Sequence, residues 1–439
     1  MDAAAGYREP ERTKLGEVLV ALSTAIDLVR PRLVDHERRV AMLAHAIGCS
    51  LGLDPVELAE LVMAALVHDI GGLTISSAKR DRLLDYGFED HTHAASGAAL
   101  VEAVPLLTHL APIIREHHTS WLVSRNRPVS LASHIIHLAD RIEVVINREI
   151  SVLAQMTQIR QRIAPNHDGR FHPDVIQAFL RASQSEAFWL MLDLPDSLPR
   201  LRTAMAPGDR DLAEEDLLSL ALIFAIVVDM KSPFTGTHSC GVAEVAGVMA
   251  ELAGRPERLC RRLQVAGYLH DVGKVGVPVE ILEKHGPLTA DEMPQIRGHS
   301  FHTWRILSGV PGLADISTWA SQHHEQPNGE GYPYGIGGAD LCWESRLIAV
   351  ADKFTALAEN RPYRAAMPAM KAMEVMRDMA AKGMVDPGIT SLLELNLGMI
   401  DQRRRLAQSR ETRFEKAILE VLRQAELVRE NHAEPIPAE

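Results

Sequence analysis

One pattern of histidines occurs twice along the chain, with the same internal spacing each time. His36 and His68 lie 32 residues apart, and so do His238 and His270. Further matched positions follow in the same order: His93, His117, His118 and Asp140 in the first copy, and His299, His323, His324 and Asp352 in the second. A repeat of this length predicts a tandem duplication of one structural unit.

The composition indicates that this unit is helical. Aromatic residues make up only 5% of the chain, whereas alanine, leucine, arginine and glutamate are abundant. Such a composition favours helices over strands. Prolines at positions 195, 199 and 207 separate the two copies. We therefore expect an all-α protein of two tandem helical bundles, with domains over residues 14–200 and 205–430.

Helix signals precede the second histidine of each copy. Asp54 followed by Pro55 is typical of an N-cap and a first helical position, and the pattern predicts a helix that runs to His68. Pro256 opens the corresponding helix, which is predicted to run to His270.

Three further helices are predicted in the second copy. Thr289 and Glu292 form a capping-box sequence for a helix that carries His299. Asp315 is the expected cap of the short helix before the His-His pair. Residues 403–430 predict a long amphipathic helix, which either packs against the second copy or pairs two chains as a homodimer.

Charge and composition exclude several classes of protein. The net charge of -12 leaves no broad basic face for DNA, RNA or an anionic membrane. The four cysteines are scattered, which argues against a disulfide framework and fits a reducing cytosol. The N-terminus lacks the apolar core of a signal peptide, and the most apolar stretch, 217–228, is much shorter than the ~20 residues that span a bilayer. We expect a cytoplasmic protein.

The second copy carries three motifs in a distinctive order. Residues 270–274 are His-Asp-Val-Gly-Lys, residues 323–325 are His-His-Glu, and residues 328–333 are Asn-Gly-Glu-Gly-Tyr-Pro. Imidazole and carboxylate donors suit Fe, Mn, Zn or Ni better than Ca, and a nearby lysine suits a phosphate. This set resembles the HD-GYP family of metal-dependent phosphodiesterases, whose fold is an HD-type helical bundle.

The resemblance implies a centre of two divalent ions, most often Fe or Mn, bridged by Asp271. The implied ligands are His238, His270 and Asp352 for one ion, and His299, His323 and His324 for the other. Asp271 and Lys274 are the implied catalytic residues, and Lys274 would neutralise a phosphate oxygen. Tyr332, Arg361 and Arg364 are the implied substrate-binding residues.

The same resemblance implies hydrolysis of cyclic di-GMP to the linear dinucleotide and to GMP. A hydroxide that bridges the two metals would attack phosphorus in line. Alternatives are another cyclic dinucleotide such as cyclic GMP-AMP, a linear phosphoester, or a receptor that binds the nucleotide without cleaving it. Some family members hold a third metal through a glutamate where this chain has Phe234, so we expect two.

The first copy repeats the donor residues but not the phosphate-binding ones. Gly72 stands in the place of Lys274, and Thr119-Ser120-Trp121 replaces the glutamate and the Gly-Tyr-Pro loop. This copy is therefore interpreted as a degenerate HD-type domain with a regulatory or structural role. Its candidate metal ligands are His36, His68, Asp69, His93, His117, His118 and Asp140.

Overall fold

The computed structural model describes residues 12–29, 35–74, 91–165, 169–194, 197–230, 237–284, 286–360 and 365–410. In these ranges every regular element is a helix, apart from one isolated antiparallel bridge between Lys14 and Asp211. The predicted all-α class is confirmed. No helix in the described ranges combines the length and the apolar character needed to cross a bilayer.

The chain divides into two compact units. The first unit contains the described residues from 22 to 210, and the second contains residues 12–21 and those from 211 to 410. Helix α1 (Leu15–Val29) contributes to both. The other helices of the first unit are α2 (His36–Leu51), α3 (Pro55–Leu66), α4 (His91–Glu102), α5 (Ala111–Arg115), α6 (Trp121–Ser124), α7 (Leu131–Val145), α8 (Val152–Ile163), α9 (Pro173–Ala182), α10 (Glu186–Leu190) and α11 (Leu198–Met205).

The second unit repeats the arrangement with helices of similar length. They are α12 (Glu214–Met230), α13 (His238–Leu252), α14 (Glu257–Leu269), α15 (Val279–Leu282), α16 (Glu292–Leu307), α17 (Ala314–Ser321), α18 (Trp343–Ala358), α19 (Ala369–Ala381), α20 (Pro387–Leu395) and α21 (397–410).

The two units share one packing scheme. In the first, α2 packs against α3 and α7, and α4 packs against the 3-10 turn Ile70–Thr74. In the second, α13 packs against α14 and α18, and α16 packs against the 3-10 turn Val272–Gly276. The matched helices carry the matched histidines. The predicted duplication of one helical bundle is thus confirmed.

A glycine allows each 3-10 turn to touch the helix that carries the third histidine. A Cβ atom on Gly71 would lie 2.0 Å from the carbonyl oxygen of His93. A Cβ atom on Gly273 would lie 2.0 Å from the carbonyl oxygen of His299. Only glycine permits this approach, which brings the aspartate before each turn close to the imidazole of the helix.

The predicted helix starts are largely confirmed. The Asp54 side chain accepts hydrogen bonds from two backbone N–H groups at the start of α3. The backbone N–H of Thr289 donates to Glu292 at 2.7 Å, and that of Glu292 donates to the Thr289 hydroxyl at 3.3 Å. These reciprocal bonds are those of a capping box.

Two local predictions are wrong. Helix α3 ends at Leu66, so His68 lies in a turn, because the chain must leave the helix to enter the close 3-10 contact. Asp315 is not the N-cap of α17, whose N-cap is Leu313. The Asp315 carboxylate instead accepts a hydrogen bond from Nε of the buried Arg262 at 2.9 Å. An unpaired charge on the buried Arg262 would cost more free energy than an uncapped helix start, so the Asp315 carboxylate pairs with Arg262.

The predicted terminal helix is described as far as residue 410. In α21, Ile400, Asp401 and Arg404 are buried, which agrees with packing against the second unit. Residues 411–430 lie outside the described ranges, and the homodimer stays a prediction.

The close contact at Gly273 makes this position intolerant of any side chain. We expect Gly273→Ala to lower the free energy of unfolding by roughly 3 kcal/mol, because the methyl group overlaps the backbone of α16. Gly298→Ala is the matched control, since its methyl group would meet only the His302 ring at 3.8 Å. Thermal unfolding followed by circular dichroism measures both, and equal midpoints for the two variants would contradict the expectation.

Candidate metal centre

The second unit brings together the seven side chains predicted to bind metal. His238 begins α13, His270 and Asp271 follow α14, and His299 lies within α16. The other three, His323, His324 and Asp352, follow α17 or lie in α18. All except the half-buried His324 are buried. Five segments of the chain therefore meet at one point in the interior.

Backbone carbonyls orient three of the imidazole rings in the same way. Each Nδ1 donates to the carbonyl oxygen three residues earlier: His270 to Gly267 at 2.8 Å, His299 to Ile296 at 2.5 Å, and His323 to Ala320 at 2.6 Å. Because a carbonyl oxygen can only accept, each Nδ1 carries the proton and each Nε2 presents a lone pair. Metal-bound histidines in proteins are held by contacts of this kind.

The lone pairs converge on one carboxylate. Oδ1 of Asp271 lies 3.3 Å from Nε2 of His299 and 3.8 Å from Nε2 of His323, and its Oδ2 lies 3.1 Å from Nε2 of His270. The Nε2 atoms of His299 and His323 are only 3.3 Å apart. The Nε2 lone pairs and the Asp271 oxygens are all hydrogen-bond acceptors, and no proton lies between them. A divalent cation fits this donor set, and these atoms are suited to hold one.

The ionisation of the site also suits a metal. Burial lowers the pKa of His299 to about 4, and it holds the pKa values of His323 and His324 well below the usual value. Burial alone would raise the pKa of Asp271, but the neighbouring His270 and Lys274 hold it well below its ordinary range. The rings of His299, His323 and His324 are thus neutral and the Asp271 carboxylate is ionised near pH 7, which are the states that bind metal.

His238 and Asp352 form the other side of the centre. Nε2 of His238 lies 3.1 Å from Oδ1 of Asp352, and its Nδ1 lies 2.8 Å from the Glu359 carboxylate. Gln408 of α21 donates to the other Glu359 oxygen at 3.1 Å, and Arg404 donates to Gln408 at 2.6 Å. The terminal helix therefore orients a candidate ligand through Glu359.

Sequence reasoning did not identify Glu359. It lies seven residues after Asp352 and directly follows α18, which ends at Ala358. A carboxylate just after the helix that carries Asp352 is the signal that could have found it. In the first unit the corresponding carboxylate is Glu143, only three residues after Asp140, and it lies 2.6 Å from Nδ1 of His36. The two copies supply this contact from different positions.

Two of the residues predicted to contact phosphate and nucleotide, Lys274 and Tyr332, are half-buried beside the centre. Nζ of the half-buried Lys274 lies 2.5 Å from Oδ2 of Asp271. The Tyr332 ring packs against His324 with 4.7 Å between ring centroids, and the Arg297 guanidinium lies 4.4 Å from the Tyr332 centroid. Arg297 is a further cation that sequence reasoning missed. Arg361, Arg364 and Phe234 lie outside the described residues.

Glu325 holds the Gly-Tyr-Pro loop in place. Its side chain is fully buried and accepts hydrogen bonds from the backbone N–H groups of Tyr334 at 2.6 Å, Gly335 at 3.2 Å and Ile336 at 3.1 Å. A Cβ atom on Gly331 would lie 2.4 Å from the Glu325 Cα, so the loop returns directly onto the His-His-Glu segment. The sequence contained Glu325 in a motif but did not reveal this role.

The first unit also brings its seven predicted residues together, and all seven are buried. Asp69 Oδ1 lies 3.0 Å from Nε2 of His93 and 3.6 Å from Nε2 of His117. His36 Nε2 lies 3.4 Å from Asp140 Oδ1. Gly72 offers no cation in the place of Lys274. The donors have been kept while the charge that would contact a phosphate is missing.

Comparison with known proteins identifies the family. The family model described as the HD domain matches residues 33–144 and, in a second form, residues 223–389. A 3'3'-cGAMP-specific phosphodiesterase of Vibrio cholerae is 30% identical over 87% of this chain and 91% of its own length. The chain belongs to the HD-GYP family. A second V. cholerae protein with the same specificity in its name is 26% identical over 88% of this chain and 95% of its own length.

This HD-GYP protein is also similar to a relative that matches a shorter stretch and to a solved structure that matches most of the chain. A cyclic di-GMP phosphodiesterase of Thermotoga maritima is 31% identical over 44% of this chain and 53% of its own length. The crystal structure of a cyclic GMP-AMP-specific phosphodiesterase of V. cholerae covers 88% of this chain and 98% of its own, with a TM-score of 0.63 and 24% identity. That likeness confirms the fold.

The contact between Glu359 and His238 leads to a prediction about the metal affinity of the HD-GYP centre. We expect Glu359→Ala to weaken metal binding about 10- to 100-fold, because the His238 ring loses the carboxylate that orients it. Gln408→Ala should cause a smaller loss in the same direction. Glu374→Ala, at an exposed position of α19, is the control. Competition with a chelator of known affinity measures all three, and equal retention by Glu359→Ala and Glu374→Ala would refute the role of Glu359.

Proposed function

We propose that the second unit is a metal-dependent phosphodiesterase that hydrolyses a cyclic dinucleotide to its linear form and then to mononucleotides. The observation that carries the proposal is the convergence of imidazole lone pairs on Asp271 beside an open side that presents Lys274 and Tyr332. A buried donor set alone would suit a structural metal. The half-buried cation and ring next to it suit a bound phosphate and a nucleobase.

The seven donors of the second unit would hold two divalent first-row ions, and the resemblance to the HD-GYP family favours Fe or Mn. When bound, such ions polarise a phosphoryl oxygen and lower the pKa of water. Lys274 places its ammonium group where it can neutralise charge that develops on phosphate, and its contact with Asp271 keeps it there. Asp271 thus organises both the metals and the catalytic lysine.

Tyr332 and Arg297 form a second set of contacts for the nucleotide. Their stacked arrangement presents a flat surface and a positive charge at the edge of the centre. A purine ring can stack on such a surface, and a guanidinium can bind phosphate or the face of a base. We propose that Arg361 and Arg364, predicted from the same motif order, complete this side.

Two substrates are candidates, each favoured by a different observation. The relatives that match across both units, over 87% and 88% of the chain, are named for 3'3'-cGAMP. Those named for cyclic di-GMP match shorter stretches, such as the 44% of the Thermotoga maritima protein. Because the full tandem arrangement is shared with the first group, 3'3'-cGAMP is the favoured substrate. Cyclic di-GMP, predicted from the motifs, is the second.

Turnover by purified protein loaded anaerobically with Fe or Mn tests the proposal. We expect wild type to cleave 3'3'-cGAMP, His270→Ala to be inactive, and Lys274→Ala to lose roughly 100-fold in kcat/KM. Lys371→Ala, at an exposed position of α19, should match wild type. Cleavage of cyclic di-GMP alone would favour the second substrate. Tight binding of either nucleotide without cleavage would identify a receptor and overturn the proposal.

The hydrogen bonds that Glu325 accepts from the Gly-Tyr-Pro loop lead to a prediction about substrate affinity. Glu325→Gln removes at least one backbone hydrogen bond of the Gly-Tyr-Pro loop, because the amide nitrogen cannot accept from an N–H group. It weakens the others, because the remaining oxygen is uncharged. We expect KM to rise about 10-fold while bound metal is unchanged. Glu330→Gln, exposed in the same loop, serves as the control. A loss of metal together with activity would instead place Glu325 in support of the centre itself.

A further inference from the structure

We propose that the first unit holds a single first-row divalent ion in a closed site formed by Asp69, His93, His117 and His118. This ion would stabilise the unit and take no part in hydrolysis. The proposal concerns one half of the predicted donor set, and it is independent of what the second unit cleaves.

Four donor atoms meet at this site. One ligand atom from each of the four residues lies within 4.8 Å of all the others. Nε2 of His93 lies 3.2 Å from Nε2 of His117 and 3.1 Å from Nε2 of His118. His117 Nδ1 donates to the Ile114 carbonyl at 2.6 Å, so its Nε2 carries a lone pair.

These contacts cannot all be hydrogen bonds. A single proton on the His93 Nε2 can serve only one of the two neighbouring nitrogens, and Asp69 Oδ1, an acceptor, lies 3.0 Å from the same atom. A central cation satisfies all four atoms together. Three imidazoles and one carboxylate are a donor set that zinc and similar ions accept with four-fold coordination.

The two units differ in the cation beside the central aspartate. In the second unit, Nζ of Lys274 lies 2.5 Å from Oδ2 of Asp271. Gly72 stands in the place of this lysine in the first unit. No ammonium group at position 72 therefore competes with a bound ion for the Asp69 carboxylate.

The other half of the first unit is occupied by a fixed positive charge. Arg141 donates to Oδ2 of Asp140 through two nitrogens, at 2.6 and 3.0 Å, and its side chain is buried. In the second unit the matching residue, Lys353, donates to the carbonyl oxygen of His323 at 3.3 Å. His36, His68 and Asp140 also form a group of three possible ligands, but the guanidinium neutralises the one carboxylate among them and repels a cation beside it. This is why we infer one ion rather than two.

The proposed site is closed. Asp69 is 4% exposed and the three histidines are 0 to 1% exposed, whereas His324, the counterpart of His118, is half-buried. The His118 ring faces His137, which packs against Phe171 with 5.1 Å between centroids. In the second unit the equivalent His324 faces the half-buried Tyr332. Closed four-coordinate sites are typical of structural metals, whereas catalytic sites keep an open position.

Metal content of the full chain tests the inference. The triple variant His270→Ala, Asp271→Ala, His299→Ala leaves at most two donors in each half of the second unit. Reconstituted with Zn²⁺ and desalted, it should retain about one ion per chain. Adding His93→Ala or His118→Ala should remove that ion, and adding His36→Ala should leave it.

Thermal unfolding gives a second measurement. Zn²⁺ at 100-fold excess over Kd should raise the Tm of the triple variant by roughly 5 °C, but should not do so after His93→Ala is added.

Three results would overturn the inference: no ion in the triple variant, two ions, or equal loss after His36→Ala and His93→Ala. Should the triple variant fail to fold, the same single substitutions in the wild-type chain give the answer. His93→Ala should then lower the zinc content by about one ion per chain, and His36→Ala should leave it unchanged. Phosphodiesterase activity is not a readout here, so failure of this inference and failure of the proposed function remain distinct.

Discussion

The hydrogen bond from an imidazole Nδ1 to the carbonyl three residues earlier orients the rings on which both centres depend. It occurs at His270, His299 and His323 in the second unit, and at His68 and His117 in the first. Each bond places the ring proton on the outer nitrogen and directs the inner lone pair toward a buried aspartate. In the absence of a cation these lone pairs would repel one another, so the arrangement is suited to a positive charge at this point.

The two units differ in few of the residues that surround their clustered histidines. Both keep the glycine that lets the 3-10 turn touch the helix behind it. They differ in the charges next to the carboxylates: Lys274 against Gly72, and Lys353 against Arg141. They differ also in the segment after the His-His pair, where Glu325 anchors a loop in one unit only. The duplicated scaffold thus surrounds similar histidine clusters with different charges and loops.

Sequence reasoning found the residues whose side chains are chemically distinctive. A histidine and an aspartate in sequence, repeated at a fixed offset, are recognisable because few other roles require that order. It missed residues whose role depends on a neighbour distant in the chain. Glu359 acts through His238, 121 positions earlier, and Arg297 acts through the Tyr332 ring. It also assigned Asp315 to a helix start, because a local pattern cannot reveal that Arg262 is buried beside it.

The spacing of histidines, the capping residues and the motif order determined the helical class, the duplication and the family, since these are properties of local sequence and of its repetition. Only the tertiary structure decided which lone pairs meet, which carboxylate pairs with a cation and which centre is open. Those outcomes depend on distances of a few ångströms between segments far apart in the chain. Small changes in packing alter such distances without altering the local pattern.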